Sequence, residues 1–226
     1  RVHGAACRAG CPALVYSPHM AAHTERKRRR ALGEHLTPQQ LMRDYILPEL
    51  MPALTQYRWV DLFAGKGDLI FPILEQIPPA ERADFFAEHI RMCDIQPQMA
   101  AHCIQRAVAL GVPESLAREH ILERDTLADY PDEILRSPLP VYHVTNPPYL
   151  YLGYIPKHPE TRPYLRYFTG RNEGYQDLYQ IALINDLRHA VPKMAYIIPS
   201  NFLFGDAISN KIRDDLLDAY TIRKAF

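Results

Sequence analysis

Four consecutive residues, Asn146-Pro147-Pro148-Tyr149, combine a side-chain amide, two positions without a backbone N–H and a flat aromatic ring. A proline restricts the residue before it to extended conformations, so Asn146 and Pro147 are held out of helix. Proline donates no hydrogen bond, and the stretch therefore presents mainly acceptors. The Asn146 side-chain oxygen and the Pro147 carbonyl could together take both hydrogens of an NH2 group. Its nitrogen lone pair would then be left to attack an electrophile, with Tyr149 offering a flat face to a planar substrate. As an isolated turn the four residues would carry no message. They follow an apolar run, 141–145, that reads as a buried strand, and the end of such a strand is where chemistry is placed.

A second group of candidates lies upstream. The stretch Asp61-Leu62-Phe63-Ala64-Gly65-Lys66-Gly67 has two glycines one residue apart, which permit positive φ and a close approach of backbone to a ligand. It lacks the spacing of a phosphate-binding P-loop and the third glycine of the dinucleotide fingerprint, and taken alone it also fits a tight turn. Asp94 ends another apolar run, 89–94. A carboxylate there can accept two ribose hydroxyls, with Ile95 against a base, or it can cap a helix starting near Pro97. Asp125, followed by Thr126, comes after a third run, 119–123, where an acceptor could meet an amino group. In isolation it reads as a turn aspartate, and its place one strand after Asp94 gives it weight.

The elements that must position these groups alternate. Strands are expected at 58–63, 89–94, 119–123, 141–145 and 194–198, and helices at 69–76, 98–110, 175–190 and 209–219. Ahead of them Thr37 reads as a helix N-cap with Pro38 at the first helical position and Gln40 closing a capping box. Apolar strands alternating with helices imply an α/β protein with a doubly wound, mostly parallel sheet, whose ligands lie outside the carboxyl ends of the strands. Residues 1–32, with the basic run 25–30, are expected to be a poorly structured tail and 33–226 the folded domain.

With 26 basic and 26 acidic residues the chain has no net charge, so it carries no overall electrostatic footprint for nucleic acid and any such surface must be local. One local candidate is the stretch after Tyr149: Tyr151, Tyr154, Lys157, Arg162, Tyr164, Arg166, Tyr167 and Arg171 interleave aromatics and cations with Glu160 as the one acid among them. A surface loop with packed tyrosines is the competing reading. No apolar run is long enough for a membrane span, and no secretory signal is visible, which suits a cytoplasmic protein. Cys7 and Cys11, with His3 and His19 nearby, are too weakly patterned to mark a metal site, and Cys93 and Cys103 fit ordinary core thiols.

In chain order, Gly33-Glu34-His35-Leu36-Thr37-Pro38, Asp61 to Gly67, Asp94, Asp125, Asn146 to Tyr149 and Asp177-Leu178-Tyr179 resemble the motif series of S-adenosylmethionine-dependent amino-group DNA methyltransferases. The match is to adenine-specific restriction–modification enzymes in which the cofactor motifs precede the catalytic one. It covers residue 33 to the end and continues through Ile197-Ile198-Pro199-Ser200-Asn201-Phe202. The resemblance implies a Rossmann-like class I methyltransferase fold. It gives the methionine end of S-adenosyl-L-methionine to Thr37, Pro38, Asp61, Phe63, Ala64, Gly65 and Gly67. Asp94 would take the ribose, Ile95 would lie against the adenine face, and Asp125 and Thr126 would meet the cofactor adenine. Asn146, Pro147, Pro148 and Tyr149 become the grip on a base flipped out of DNA, methylated at adenine N6 by direct in-line transfer. Two departures stand out: Lys66 puts a charge in the glycine loop, and Asp61-Leu62 replaces the frequent Asp-Pro. The resemblance places further strands and a target-recognition region beyond Phe226, so recognition would need another domain or subunit. Methylation of cytosine N4, of a protein glutamine or of RNA, and a non-catalytic subunit of the same fold, are the alternatives. A cytosine-C5 enzyme is disfavoured, because the sequence has no Pro-Cys dipeptide.

Overall fold

The computed structural model describes residues 39–205 and 209–226. Thr37, Pro38, the tail 1–32 and Cys7 and Cys11 therefore lie outside the described residues.

Five strands, β1 (Arg58–Asp61), β2 (Ile90–Asp94), β3 (Ile121–Glu123), β4 (Val141–Thr145) and β5 (Lys193–Tyr196), form one sheet in the order β3-β2-β1-β4-β5, every neighbouring pair parallel. The chain builds outward from β1 to β3, then returns to the other side of β1 with β4. The gap between the ends of β1 and β4 is the topological switch point, where open α/β sheets bind their ligands. β1 is buried along its whole length and β2 and β4 nearly so, which explains their apolar character, while β5 at the sheet edge is half-buried. Trp59, Met92 and Val144 pack with Phe71, Phe86 and Cys103 on one face, while Val60, Cys93 and Val141 pack with Ile134 on the other. Successive strand residues alternate between these faces, so the sheet is doubly wound.

The covering helices are α1 (Gln39–Leu41), which runs through a π-helical turn, Met42–Ile46, into α2 (Leu47–Leu50), then α3 (Phe71–Leu74), α4 (Arg82–His89), α5 (Pro97–Ala109), α6 (Glu114–His120), α7 (Asp132–Leu135), α8 (Leu178–Arg188), α9 (Asn201–Phe204) and α10 (Asn210–Ala219). Residues 178–186 of α8 are all buried, the mark of a helix enclosed on every side. No described helix is long and apolar enough to cross a membrane.

Several boundaries differ from the sequence reading. The expected strands at 89 and 119 begin later, because α4 and α6 run straight into β2 and β3 with no glycine or proline between. Their last residues, His89 and His120, are buried, with ring nitrogens against the Tyr57 and Phe86 carbonyls. The helix expected at 69–76 is reduced to Phe71–Leu74 behind a series of turns. The tyrosine-rich stretch is not irregular: it forms 3-10 helices at Leu152–Lys157, Pro159–Phe168 and Gly170–Asn172. Pro156 and Pro163 lie inside these helices and remove donors that an α-helix would need, leaving the tighter form.

Candidate cofactor and amine site

Strand β1 leaves the ladder after Asp61, and side chains take over its backbone bonding. Leu62 N–H donates to His143 Nε2 (3.1 Å), and its carbonyl accepts from Thr126 Oγ1 (2.9 Å). Phe63 N–H donates to Asp61 Oδ1 (3.0 Å), Ala64 N–H to the Cys93 carbonyl (2.9 Å) and Gly65 N–H to Asp94 Oδ2 (2.7 Å). Arg106 donates to the Lys66 carbonyl (2.6 Å) and to Asp68 (2.7 Å) while lying over the Phe71 ring. The loop is thus fixed before any ligand arrives.

Both loop glycines have positive φ, 53° at Gly65 and 76° at Gly67, but for different purposes. A Cβ on Gly67 would lie 2.2 Å from Phe71, so this residue lets helix α3 close against the loop. A Cβ on Gly65 would meet nothing within 4 Å, so its backbone faces open space. Gln39 donates to Asp68 Oδ1 (3.0 Å), which brings the start of α1 to the rim of this loop.

Three carboxylates stand around it. Asp61 is 1% exposed and accepts from Thr145 Oγ1 (2.6 Å), tying the ends of β1 and β4 together across the switch point; burial pushes its carboxyl up to about 6. Asp94 is buried at the end of β2, with Oδ2 on Gly65 and Oδ1 accepting from Gln96 N–H (2.8 Å). It therefore joins the loop to the start of α5, and the next residue, Ile95, is exposed. Asp125 Oδ2 accepts from Arg166 Nη2 and from the Tyr167 hydroxyl, both at 2.8 Å, and Oδ1 from Ala128 N–H at 3.3 Å. Thr126, expected at the cofactor adenine, is buried, and its hydroxyl holds the Leu62 carbonyl beneath the loop.

Asn146-Pro147-Pro148-Tyr149 leads out of β4 beside Asp61. The Tyr149 hydroxyl lies against Asn146 Oδ1 (2.6 Å) and the Ile197 carbonyl, and its ring is half-buried near Tyr179. Burial raises the Tyr149 phenol above its ordinary range, so it stays a donor. Beyond it the chain is pinned by Asp177, which accepts from Leu150 N–H (3.0 Å) and N-caps α8; burial pushes that carboxyl up to about 6. The Asp177-Leu178-Tyr179 element thus anchors the exit from the Asn146 strand end.

Sequence reading missed one cluster. Asp186, fully buried in α8, accepts from Tyr130 (2.8 Å), His143 Nδ1 (2.6 Å) and the Tyr196 hydroxyl. Because His143 Nε2 accepts from Leu62 N–H, the ring proton sits on Nδ1 and points to Asp186. The signal available in the sequence was an aspartate, beside Asn185, on a helix whose buried residues are mostly apolar. Among the described residues no group of three or more His, Cys, Asp or Glu could hold a metal ion.

The arrangement brings a preformed glycine loop, strand-end carboxylates and an acceptor-rich Asn-Pro-Pro-Tyr turn to one edge of the sheet. An open backbone at Gly65, an exposed Ile95 and carboxylates after β2 and β3 suit a nucleoside with ribose hydroxyls and an amino group, and none of these features requires a phosphate.

No family model and no curated protein matches the chain. Solved structures do. The cryoEM structure of a DrdV–DNA complex aligns with a TM-score of 0.59 at 14% identity, over 84% of this chain and 22% of that one. The crystal structure of a modification subunit of a putative type I restriction enzyme from Vibrio vulnificus YJ016 aligns with a TM-score of 0.53 at 20% identity, over 88% of this chain and 42% of that one. The chain spans less than half the length of either. The likeness is one of fold: an α/β domain built on a five-stranded parallel sheet with helices on both faces.

Proposed function

We propose that the chain is the catalytic core, residues 33–226, of an S-adenosylmethionine-dependent DNA methyltransferase acting on N6 of adenine within a restriction–modification system. The observation that carries this reading is the position of Asn146-Pro147-Pro148-Tyr149: it leaves β4 across the switch point from a glycine loop braced by Asp94, with Thr145 and Asp61 joining the two. S-adenosyl-L-methionine supplies an electrophilic methyl group on a sulfonium. Thr37, Pro38 and the loop from Phe63 to Gly67 would hold its methionine end, Asp94 its ribose, Ile95 the face of its adenine, and Asp125 the adenine amino group.

On the substrate side, Asn146 Oδ1 and the Pro147 carbonyl accept the hydrogens of the target amine and aim its lone pair. Tyr149 restrains Asn146 through its hydroxyl and borders the base. The transfer is in-line and needs no protein nucleophile. Burial argues the same way: it pushes the Cys93 thiol up to about 12 and Cys103 higher still, so neither provides the thiolate that attack on a ring carbon requires.

DNA is favoured as substrate because one structural neighbour was solved bound to DNA and another is a modification subunit. Locally, Lys157, Arg162, Arg166 and Arg171 are exposed on the 3-10 segment with Glu160 as the single acid between residues 151 and 171. A few such contacts position a duplex without reading it, so sequence recognition would come from additional chain or a separate subunit.

The test is transfer of a labelled methyl group from S-adenosylmethionine to DNA, RNA and protein acceptors by the wild type and Asn146→Ala. DNA should be the acceptor, with N6-methyladenine as product. Asn146→Ala should abolish transfer and leave cofactor affinity nearly intact. A preference for RNA or protein would overturn the substrate, and absence of cofactor binding would leave a non-catalytic scaffold.

A further inference from the structure

Asp125 sits on a loop after a strand of three residues, yet its carboxylate is fixed by groups 41 and 42 residues downstream. We infer that Tyr167, assisted by Arg166, is a positioning residue that sets the Asp125 carboxylate to discriminate a 6-amino purine in the cofactor from a 6-oxo one. This rests on the assignment of Asp125 to the cofactor adenine made above.

A carboxylate offers about four acceptor sites, two on each oxygen. Here Oδ2 takes two donors at 2.8 Å, the Arg166 guanidinium and the Tyr167 hydroxyl. Oδ1 takes the Ala128 N–H at a long 3.3 Å, which leaves it capacity for one more donor. An exocyclic amino group provides that donor. A 6-oxo group brings only lone pairs and would be repelled by an oxygen that cannot rotate away.

The two clamping residues are unequal. The Arg166 side chain is 61% exposed, so solvent and salt weaken its hold. Tyr167 is 4% exposed, and burial pushes its phenol up to about 12, so it remains a protonated donor at any working pH. Its own backbone is anchored, with its carbonyl accepting from Asn172 Nδ2 (2.8 Å) and Asn172 in turn held by Arg188 of α8 (2.6 Å). Arg166 adds a bond to the Tyr167 hydroxyl (2.7 Å) and stacks on its ring, closing a three-membered clasp.

Tyr167→Phe keeps the packed ring and removes only the hydroxyl. Calorimetric titration of the wild type with S-adenosylhomocysteine and S-inosylhomocysteine should show at least a tenfold preference for the adenosyl form. In Tyr167→Phe, adenosyl affinity should fall about three- to tenfold with inosyl affinity unchanged, so the ratio collapses. Equal loss of both ligands, or no loss of either, would overturn the positioning role and leave Tyr167 a packing residue. A wild type that binds adenosyl and inosyl ligands equally would instead reject the assignment of Asp125. Should Tyr167→Phe not fold, Arg166→Gln serves: it should lower the ratio about threefold in dilute buffer and not at high salt, and a salt-independent ratio in both proteins refutes the clasp.

Discussion

Replacing Asp61 by Asn removes a charge from a site with almost no access to water while keeping an oxygen for the two groups that bond it. In the folded chain, burial lifts this carboxyl from 3.8 to about 6 against the opposing bonds from Thr145 and Phe63. That is a shift of two units, and at about 1.4 kcal/mol per unit it corresponds to about 3 kcal/mol between the two protonation states. The folded state holds the proton more tightly than the unfolded chain. The resulting stabilisation is complete below the unfolded value and is lost as pH rises through about 6, after which stability stays lower. Asn carries no such dependence. Urea unfolding of both proteins from pH 4 to pH 8 should therefore give near-equal stabilities at the acid end, with Asp61→Asn ahead by up to about 3 kcal/mol at pH 7. Asp177 has a shift of the same sign and cancels in the difference. A difference that stays flat with pH, or wild type gaining on the variant as pH rises, would refute the claim that Asp61 is desolvated.

Further outcomes follow from the loop and the turn. Gly67→Ala should destabilise the protein by about 2–4 kcal/mol in chemical unfolding, because its Cβ meets Phe71 at 2.2 Å and its φ is 76°. Gly65→Ala should be milder, about 1 kcal/mol for the left-handed backbone, yet should weaken cofactor binding at least tenfold by filling open space; a destabilisation as large as that of Gly67→Ala would reverse their roles. Asp94→Asn should melt at lower urea by about 1–2 kcal/mol, having lost one acceptor for the Gly65 and Gln96 N–H groups, and should lose about tenfold in cofactor affinity; a folded variant with full affinity would remove Asp94 from the ribose. Tyr149→Phe should lower kcat several-fold with cofactor affinity kept, since its hydroxyl restrains Asn146, and an unchanged kcat would show that only the ring matters.

β4 was legible because it is a mostly apolar stretch leading into a polar residue: it is bounded at 141–145 in the sequence and observed as Val141–Thr145. The helices leading into β2 and β3 were not, since periodicity fades where a helix passes into a strand without a breaker. The glycine loop could be located from Gly65 and Gly67, but the division of labour between them depends on Phe71 and open space, which only three dimensions supply. The Asp125 clasp and the Asp186–His143 pair join residues 41 to 43 positions apart through single side-chain bonds, and neither has a periodic signature. Tyr149 was expected to act through its ring; spacing could not reveal that its hydroxyl reaches Asn146 and the end of β5 together.

Where this chain departs from ordinary packing points to the same edge of the sheet. Asp61, Asp177 and Asp186 are buried or nearly so, and burying a carboxylate is unfavourable unless donors compensate. Each has such donors, and each donor set fixes a segment that leaves a strand: Phe63 and Thr145 for Asp61, Leu150 and the start of α8 for Asp177, and His143, hence Leu62, for Asp186. Apolar residues would have given a more stable core at these places, but they could not have bonded the backbone of loops that have already left the ladder. A sheet needs no such bracing merely to fold. Bracing is needed where backbone must be held open against solvent in one geometry, and a site that aligns an amine with an electrophile has that requirement. The same reasoning separates Asp94 and Asp125 from the other three. They too brace the loops, but their neighbours include the exposed Ile95 and Arg166 and the open backbone at Gly65.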